Sequence, residues 1–344
     1  VRMRGGDWLD CLSGVGKKGI GESVMVTCQL VMSLLYLAEF AEKAGRADEA
    51  AKYEATAERL KAAVNKAAFN GKFYNAVFTD NRTWLFSECD EDGKKRVYIP
   101  TNAYAVICGA AEGKEDGIVS EIENLKTDDG YMLFSEPLGG SKIDGIGKMG
   151  TGDFQPYFAE NGSVYNHGSQ CFLIRALAKA GRYDKIYDVL GYALPFYADK
   201  HDPEKVCAAP YAITNCYHLV PSFYGRAGFS FLTGSVAMIE RAIYSWIFGI
   251  NFTLDDIRIT PCIPKEYADA EVTTPFDGKK ITVAYVGYGA KISSAAADGK
   301  PLALTADGRT ALLGKDEVRD GTVITIRMWL GMSELACTRR AHVP

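Results

Sequence analysis

The sequence predicts a mainly α-helical body built from helical hairpins, followed by a small β domain. Long amphipathic runs joined by a tight Gly-containing turn point to the hairpins, and that turn recurs later in the chain. After Gly249 the pattern changes to short alternating segments punctuated by Pro, Gly and Asp. Residues 22–45 read as one amphipathic helix and 48–69 as a second, with Tyr53, Ala57, Leu60 and Val64 on a single stripe. Gly45 suits the left-handed conformation that ends a helix, and Asp48 suits the N-cap of the next.

The join Lys43-Ala44-Gly45-Arg46-Ala47-Asp48 is echoed by Lys179-Ala180-Gly181-Arg182-Tyr183-Asp184, each copy lying between two apolar helical runs. Reuse of a hairpin scaffold and coincidence of common helix-end chemistry both account for the echo. Residues 70–100 read as a β excursion with loops, and 127–168 as a long Gly-rich irregular segment of the kind that carries function. Helices resume at 169–181, 183–195 and 233–249, the last with Ile239, Ala242, Ile243, Trp246 and Ile247 as a buried stripe. Strand patterns follow at 258–264, 280–286 and 322–329. The expected division is 1–250 for the helical part, 251–332 for the β domain and 333–344 for a weakly patterned tail.

Composition narrows the function. At 344 residues with 47% apolar content, the chain can bury a large core. A net charge of −4 lacks the basic footprint of a nucleic-acid binder. No apolar run reads as a bilayer span, and no secretory segment opens the chain. Val1 in place of Met, with an Asp-Trp motif following at once, predicts a fragment whose upstream part is missing. Nine cysteines at irregular spacing argue against a disulfide framework and for a reducing, cytoplasmic setting. The four histidines show no metal-ligand spacing, so no metal or cofactor is expected.

Three motifs carry chemistry. Gly6-Asp7-Trp8-Leu9-Asp10 offers an aspartate beside apolar groups, where partial desolvation would hold a proton for a leaving oxygen; a helix-capping Asp is the plainer alternative. Glu160-Asn161-Gly162-Ser163-Val164-Tyr165-Asn166-His167 places a carboxylate and an imidazole around a flexible Gly-Ser pair, the imidazole able to donate to a phosphate oxygen. A structural histidine remains open there. Thr233-Gly234 stands before a helix, whose free N–H groups favour anions; an ordinary N-cap looks the same. Jointly they make one acid and one anion cradle. An inverting hydrolase needs a second carboxylate to activate water, whereas phosphate is already nucleophilic.

At these residues the chain resembles the cellobiose phosphorylase family, glycoside hydrolase family 94. The resemblance rests on 6–10, Gly-Lys-Lys-Gly-Ile-Gly-Glu-Ser at 16–23, Glu160 to Gly168, Ala-Pro-Tyr at 209–211, Phe-Leu-Thr-Gly-Ser at 231–235 and Gly249 to Pro264. It implies a partial (α/α)6 barrel, N-terminally incomplete, followed by a small β-sandwich-like domain. It implies that Asp10 is the general acid, that Trp8, Glu160 and Asn215 bind substrate, and that His167, Thr233 and Gly234 bind phosphate, a co-substrate. The implied reaction is inverting phosphorolysis of a β-glucosidic di- or oligosaccharide to α-glucose 1-phosphate. The wording around Glu160 and Asn215 sits nearer the oligoglucan phosphorylases, of the β-1,2-oligoglucan or cellodextrin kind. Leu9 departs from the family's usual Asn. A homodimer is a family habit. With the missing upstream region the isolated chain is expected to be inactive or poorly soluble. The rivals are an inverting hydrolase on the same toroid with Glu160 as base, and a non-catalytic carbohydrate-binding fragment.

Overall fold

The structure, a computed structural model, describes residues 1–139, 143–153, 155–195, 199–209, 211–230 and 233–329, the side chains of Asp153 and Thr233 excepted. The tail expected at 333–344 lies outside the described residues. The α-helices among the described residues are α1 (Val24–Lys43), α2 (Ala47–Ala68), α3 (Ile99–Ile107), α4 (Glu115–Glu123), α5 (Phe172–Ala180), α6 (Tyr183–Ala193), the single turn α7 (Pro203–Val206) and α8 (Thr233–Arg241). Of these residues 38% are helical and 22% lie in strands. The helices therefore dominate less than the sequence implied, because the segments between them close into small sheets of their own. The chain forms two compact units, Val1–Ala176 with Gly191–Val236, and Leu177–Leu190 with the chain from Ala237 onward.

In the first unit α1 and α2 make the expected hairpin. Gly45 takes a φ of +71°, and the Arg46 N–H reaches back to the Ala41 carbonyl at 2.8 Å. The echoed join in the second unit repeats the geometry: Gly181 has φ +74°, and the Arg182 N–H meets the Leu177 carbonyl at 2.9 Å. These are helix ends closed by a left-handed glycine. Asp48 does not cap α2. Arg46 occupies the N-cap position without a side-chain bond, and Asp48 sits in the first turn, where it complements the helix dipole.

By length and composition α1 does qualify as a possible membrane span, contrary to the sequence reading. One face packs against α2 and α3, with Met25, Cys28 and Val31 fully buried. Part of the helix is uncovered: Tyr36, Leu37 and Phe40 are about half exposed.

Two devices set the irregular segment that carries Glu160. Arg96, fully buried, pairs with Asp90 at 2.8 Å and Asp92 at 2.7 Å and donates to the carbonyls of Glu136 and Pro137. Asn161 then exchanges two hydrogen bonds with the Leu138 backbone, at 2.7 and 2.6 Å. Gly162, at φ +79°, lets the chain turn directly against Pro137. A three-stranded antiparallel sheet follows, in the order Val164–Tyr165, Thr214–Tyr217, Ala227–Ser230. Its register sets Tyr165 opposite Cys216, which brings Asn215 beside the Glu160 segment.

In the second unit two sheets share one core. The first orders as Ala303–Leu304, Ala311–Gly314, Asp256–Ile259, Ile250–Phe252, all antiparallel. The second orders as Glu271–Phe276, Lys279–Val286, Val323–Met328, Ile292–Ala297, Lys300–Pro301, with only the 279–286 and 323–328 pair parallel. Alternate residues of both sheets (Ile257, Ile259, Leu313, Val283, Ile324, Ile326) meet in the core, as in a sandwich. Arg309 donates to the carbonyls of Ala178 and Lys179, covering the open C-terminal end of α5.

Candidate active site

The turn that carries Trp8 and Asp10 is built from the backbone outward. The N–H groups of Gly5 and Gly6 both reach the Val15 carbonyl. Asp7 closes the turn: Oδ1 accepts from the Leu9 N–H at 2.9 Å, and Oδ2 accepts from the Ser23 hydroxyl at 2.8 Å. Ser23 in turn caps α1 by accepting from the Val26 N–H. The side chain of Leu9 is fully buried with Leu12, Val15 and Leu85. An apolar residue suits this position because it points into the core. Segment 143–153 braces the turn, with Gly14 N–H bonded to Gly145 and Gly147 N–H to the Cys11 carbonyl.

Asp10 itself is exposed. The desolvation expected of it is found instead at Glu160 and Asp7. Only 8% of Glu160 is exposed, and burial, with the nearby charges of Asp10 and Asp7, pushes its carboxyl up to about 7. The Asp10 N–H and the Tyr165 hydroxyl hold it back by bonding to the charged form. Burial likewise raises the Asp7 carboxyl, against its bonds from Leu9 and Ser23. The fold thus places three carboxyl groups in one neighbourhood, with Asp10 bonded through its N–H to Glu160 and Asp7 close enough to act on Glu160 through its charge.

Glu160 is the junction of the site. Its Oε2 accepts from the Asp10 N–H at 2.8 Å and its Oε1 from the Tyr165 hydroxyl at 3.1 Å. The Tyr165 oxygen accepts from Asn215 Nδ2 at 2.5 Å, and Asn215 Oδ1 accepts from the Ser235 hydroxyl at 3.1 Å. Asn215 was expected to touch sugar. It is 93% buried, and its amide is committed to Tyr165 and Ser235.

Trp8 joins the acidic turn to the histidine. Its ring packs edge-on against Tyr165, with centroids 5.5 Å apart, and against His167 at 5.8 Å, with Phe172 beside it at 5.7 Å. Gly168 makes this approach possible: a Cβ there would lie 2.5 Å from the indole. His167 opens a π-helical turn, His167–Cys171, at the head of α5. Burial lowers its pKa, which favours the uncharged imidazole; that form still has one N–H able to donate. Gly234, in the first turn of α8, lies against it, a Cβ at that position falling 3.5 Å from Nδ1. Thr233 is the first residue of α8, and its side chain lies outside the described residues.

Asp10, Glu160, Trp8, His167 and Gly234 therefore form one connected neighbourhood within the first unit. Tyr165, Ser23 and Ser235 were missed as individual residues, whereas Asp7 belongs to the motif turn where a capping aspartate was the plainer alternative. All three lay inside motifs already quoted, but nothing local in the sequence marks their hydroxyls as partners of Asp7, Glu160 or Asn215.

A family model described as "Glycosyl hydrolase 94 superfamily, catalytic domain" matches residues 1–249. The chain is 33% identical over 283 residues to "Solabiose phosphorylase" of Paenibacillus borealis, covering 81% of this chain and 36% of that protein. It is 31% identical over 276 residues to "3-O-beta-D-glucopyranosyl-beta-D-glucuronide phosphorylase" of the same organism, covering 78% of this chain and 35% of that one. "Cellobionic acid phosphorylase" of Neurospora crassa is 27% identical over 285 residues, with 81% and 35% covered. The chain thus spans about a third of the length of these relatives. A solved structure titled "Sialidase" matches 87% of this chain and 27% of that one, with a TM-score of 0.55 at 12% identity, a likeness of fold alone.

Proposed function

Since this chain belongs to the glycosyl hydrolase 94 superfamily, we propose that it forms part of the catalytic domain of an inverting β-glucoside phosphorylase, on an (α/α)6 barrel. The substrates are inorganic phosphate and a β-linked di- or oligosaccharide, of the β-1,2-oligoglucan or cellodextrin kind. Asp10 gives its proton to the glycosidic oxygen as the bond from the anomeric carbon breaks. A phosphate oxygen forms the new bond from the opposite face, which inverts the anomeric centre and yields α-glucose 1-phosphate and a shortened acceptor. Trp8 walls the donor sugar. Glu160 receives sugar hydroxyls on the lone pairs left free by Asp10 and Tyr165. His167 donates one N–H to phosphate, and the first turn of α8 at Thr233 and Gly234 supplies backbone N–H groups. Nothing in this scheme calls for a metal or cofactor.

The observation that carries the reading is the Trp8 bridge. One ring touches both the tyrosine bonded to Glu160 and the histidine that lies against Gly234. An acid turn and an anion cradle on either side of an aromatic wall are what phosphorolysis needs. A hydrolase on the same scaffold needs its base across the sugar from its acid. Glu160 is instead bonded to the backbone of Asp10, on the side of the acid.

The test is an assay of the full-length protein with β-linked glucosides, with and without inorganic phosphate. Glucose 1-phosphate that forms only with phosphate, and falls by about 10²–10⁴-fold in D10N, is the expected result. Free glucose released equally without phosphate favours the hydrolase. Sugar binding unaltered in D10N, with no turnover in the parent, favours a non-catalytic binder.

A further inference from the structure

We infer that Tyr165 is a positioning residue that couples the acid side of the site to its anion-binding side, by way of a one-directional chain of buried hydrogen bonds. This rests on the phosphorolytic reading above and adds a residue to it.

The chain runs Ser235 hydroxyl to Asn215 Oδ1, Asn215 Nδ2 to the Tyr165 oxygen, and Tyr165 hydroxyl to Glu160 Oε1, over 3.1, 2.5 and 3.1 Å. From the other end the Asp10 N–H donates to Glu160 Oε2 at 2.8 Å. Every link donates toward Glu160, so the polarity has one sense and ends on the carboxylate. The four side chains are each at least 92% buried. Water does not substitute freely at a link, and each bond is stronger than its surface counterpart.

Two consequences follow. Tyr165 has a single hydroxyl that both donates and accepts, so among the described side chains it is the one bonded to both Glu160 and Asn215. Ser235 is the third residue of α8 and adjoins Gly234, so the far end of the chain is the cradle itself. The pitch of Glu160 against Asp10 and the seat of the α8 N-terminus therefore share one side chain, alongside the backbone bonds of Asp10 to Glu160 and of Asn166 to Asn215. The aromatic body of Tyr165 is held independently by the Trp8 edge contact. Removing its oxygen thus cuts the relay without removing the ring.

Glu160 lies among acids. They are Asp7 and Asp10 of the motif turn, Cys11 after it, Tyr98 at the head of α3, Tyr165, and Cys216 of the neighbouring strand. With these around it, a donated hydrogen bond is what favours its ionised form.

The experiment compares the full-length parent with Y165F, S235A and E160Q. One readout is the pH profile of phosphorolysis at saturating and limiting phosphate. The other is the infrared titration of the Glu160 carboxyl, taken as the parent-minus-E160Q difference, which needs no turnover. Y165F should move the Glu160 midpoint up by about one pH unit and raise the KM for phosphate several-fold. S235A should raise that KM with a smaller midpoint shift, and it keeps the test open if Y165F folds poorly. A purely structural tyrosine predicts a lower rate or stability with both the midpoint and the phosphate KM unmoved, and that result overturns the proposal. If the parent makes no glucose 1-phosphate, the phosphorolytic reading fails. The infrared midpoint then still decides whether Tyr165 sets the state of Glu160.

Discussion

Replacing Glu160 with glutamine should stabilise the protein at pH 8 relative to pH 5, measured against the parent, by about 2–3 kcal/mol. The argument starts from the carboxyl, raised from 4.5 to about 7 chiefly by burial. On unfolding it returns to its ordinary value. Between those two pH values the native state holds a proton that the unfolded chain has released. The parent therefore loses stability as pH rises through this window, and the loss is complete above the folded value. A gap of about 2.5 units at 1.36 kcal/mol each amounts to about 3 kcal/mol. Glutamine cannot ionise, so it removes the whole of this slope. It also has a single acceptor oxygen where Glu160 offers two, so the Asp10 N–H or the Tyr165 hydroxyl loses a partner, at about 1 kcal/mol irrespective of pH. E160Q should accordingly be slightly less stable than the parent at pH 5 and more stable at pH 8. Urea unfolding of both proteins at the two pH values measures this. Asp7 titrates in both, so its contribution largely cancels in the difference. If the two proteins show parallel pH dependence, Glu160 is not a buried, desolvated acid, and the electrostatic account of the site is wrong.

Three further outcomes can be checked directly. G168A places a Cβ 2.5 Å from the Trp8 indole and 2.8 Å from Leu133; a thermal melt should show a loss of about 1–3 kcal/mol from overpacking, with Trp8 fluorescence altered. R96A leaves Asp90 buried without its partner and frees the Glu136 and Pro137 carbonyls. A cost of about 3–5 kcal/mol is expected in denaturant unfolding. G234A sets a methyl 3.5 Å from His167 Nδ1, an ordinary contact that the fold tolerates. The KM for phosphate should rise about tenfold or more while the melting temperature changes little; an unchanged KM removes Gly234 from the cradle.

What was legible in the sequence was whatever lies close together along the chain. The α1–α2 hairpin, the left-handed Gly45 and its repeat at Gly181, and the stripe on α2 depend on spacings of three or four residues, which patterning reports directly. The three motifs were legible for the same reason. The relay from Glu160 to Ser235 was not, because a strand register places Tyr165 beside a residue 50 positions away. The protonation pattern was hidden too. The sequence offers an aspartate beside Trp8 and Leu9 as the desolvated acid, but burial is decided by the fold. Leu9 turns into the core, Asp10 turns outward, and Glu160, 150 residues on, takes the desolvated place. Asp48 failed as a cap because the helix begins one residue before it, after Arg46. The small sheets between helices came from Gly- and Asn-rich stretches whose pairings are not local.

The attachment of α1 has a mechanical side. The helix is a rod of 20 residues, about 30 Å long, held at its first turn by the contact from Ser23 to Asp7. Its uncovered apolar residues, Leu37 and Phe40, sit near the other end. That end is held on one face, where Ala38 and Ala41 pack on Ala50 of α2, and open on the other. A substitution at Leu37 or Phe40 on the open face falls about 20 Å or more along the rod from the acid's turn.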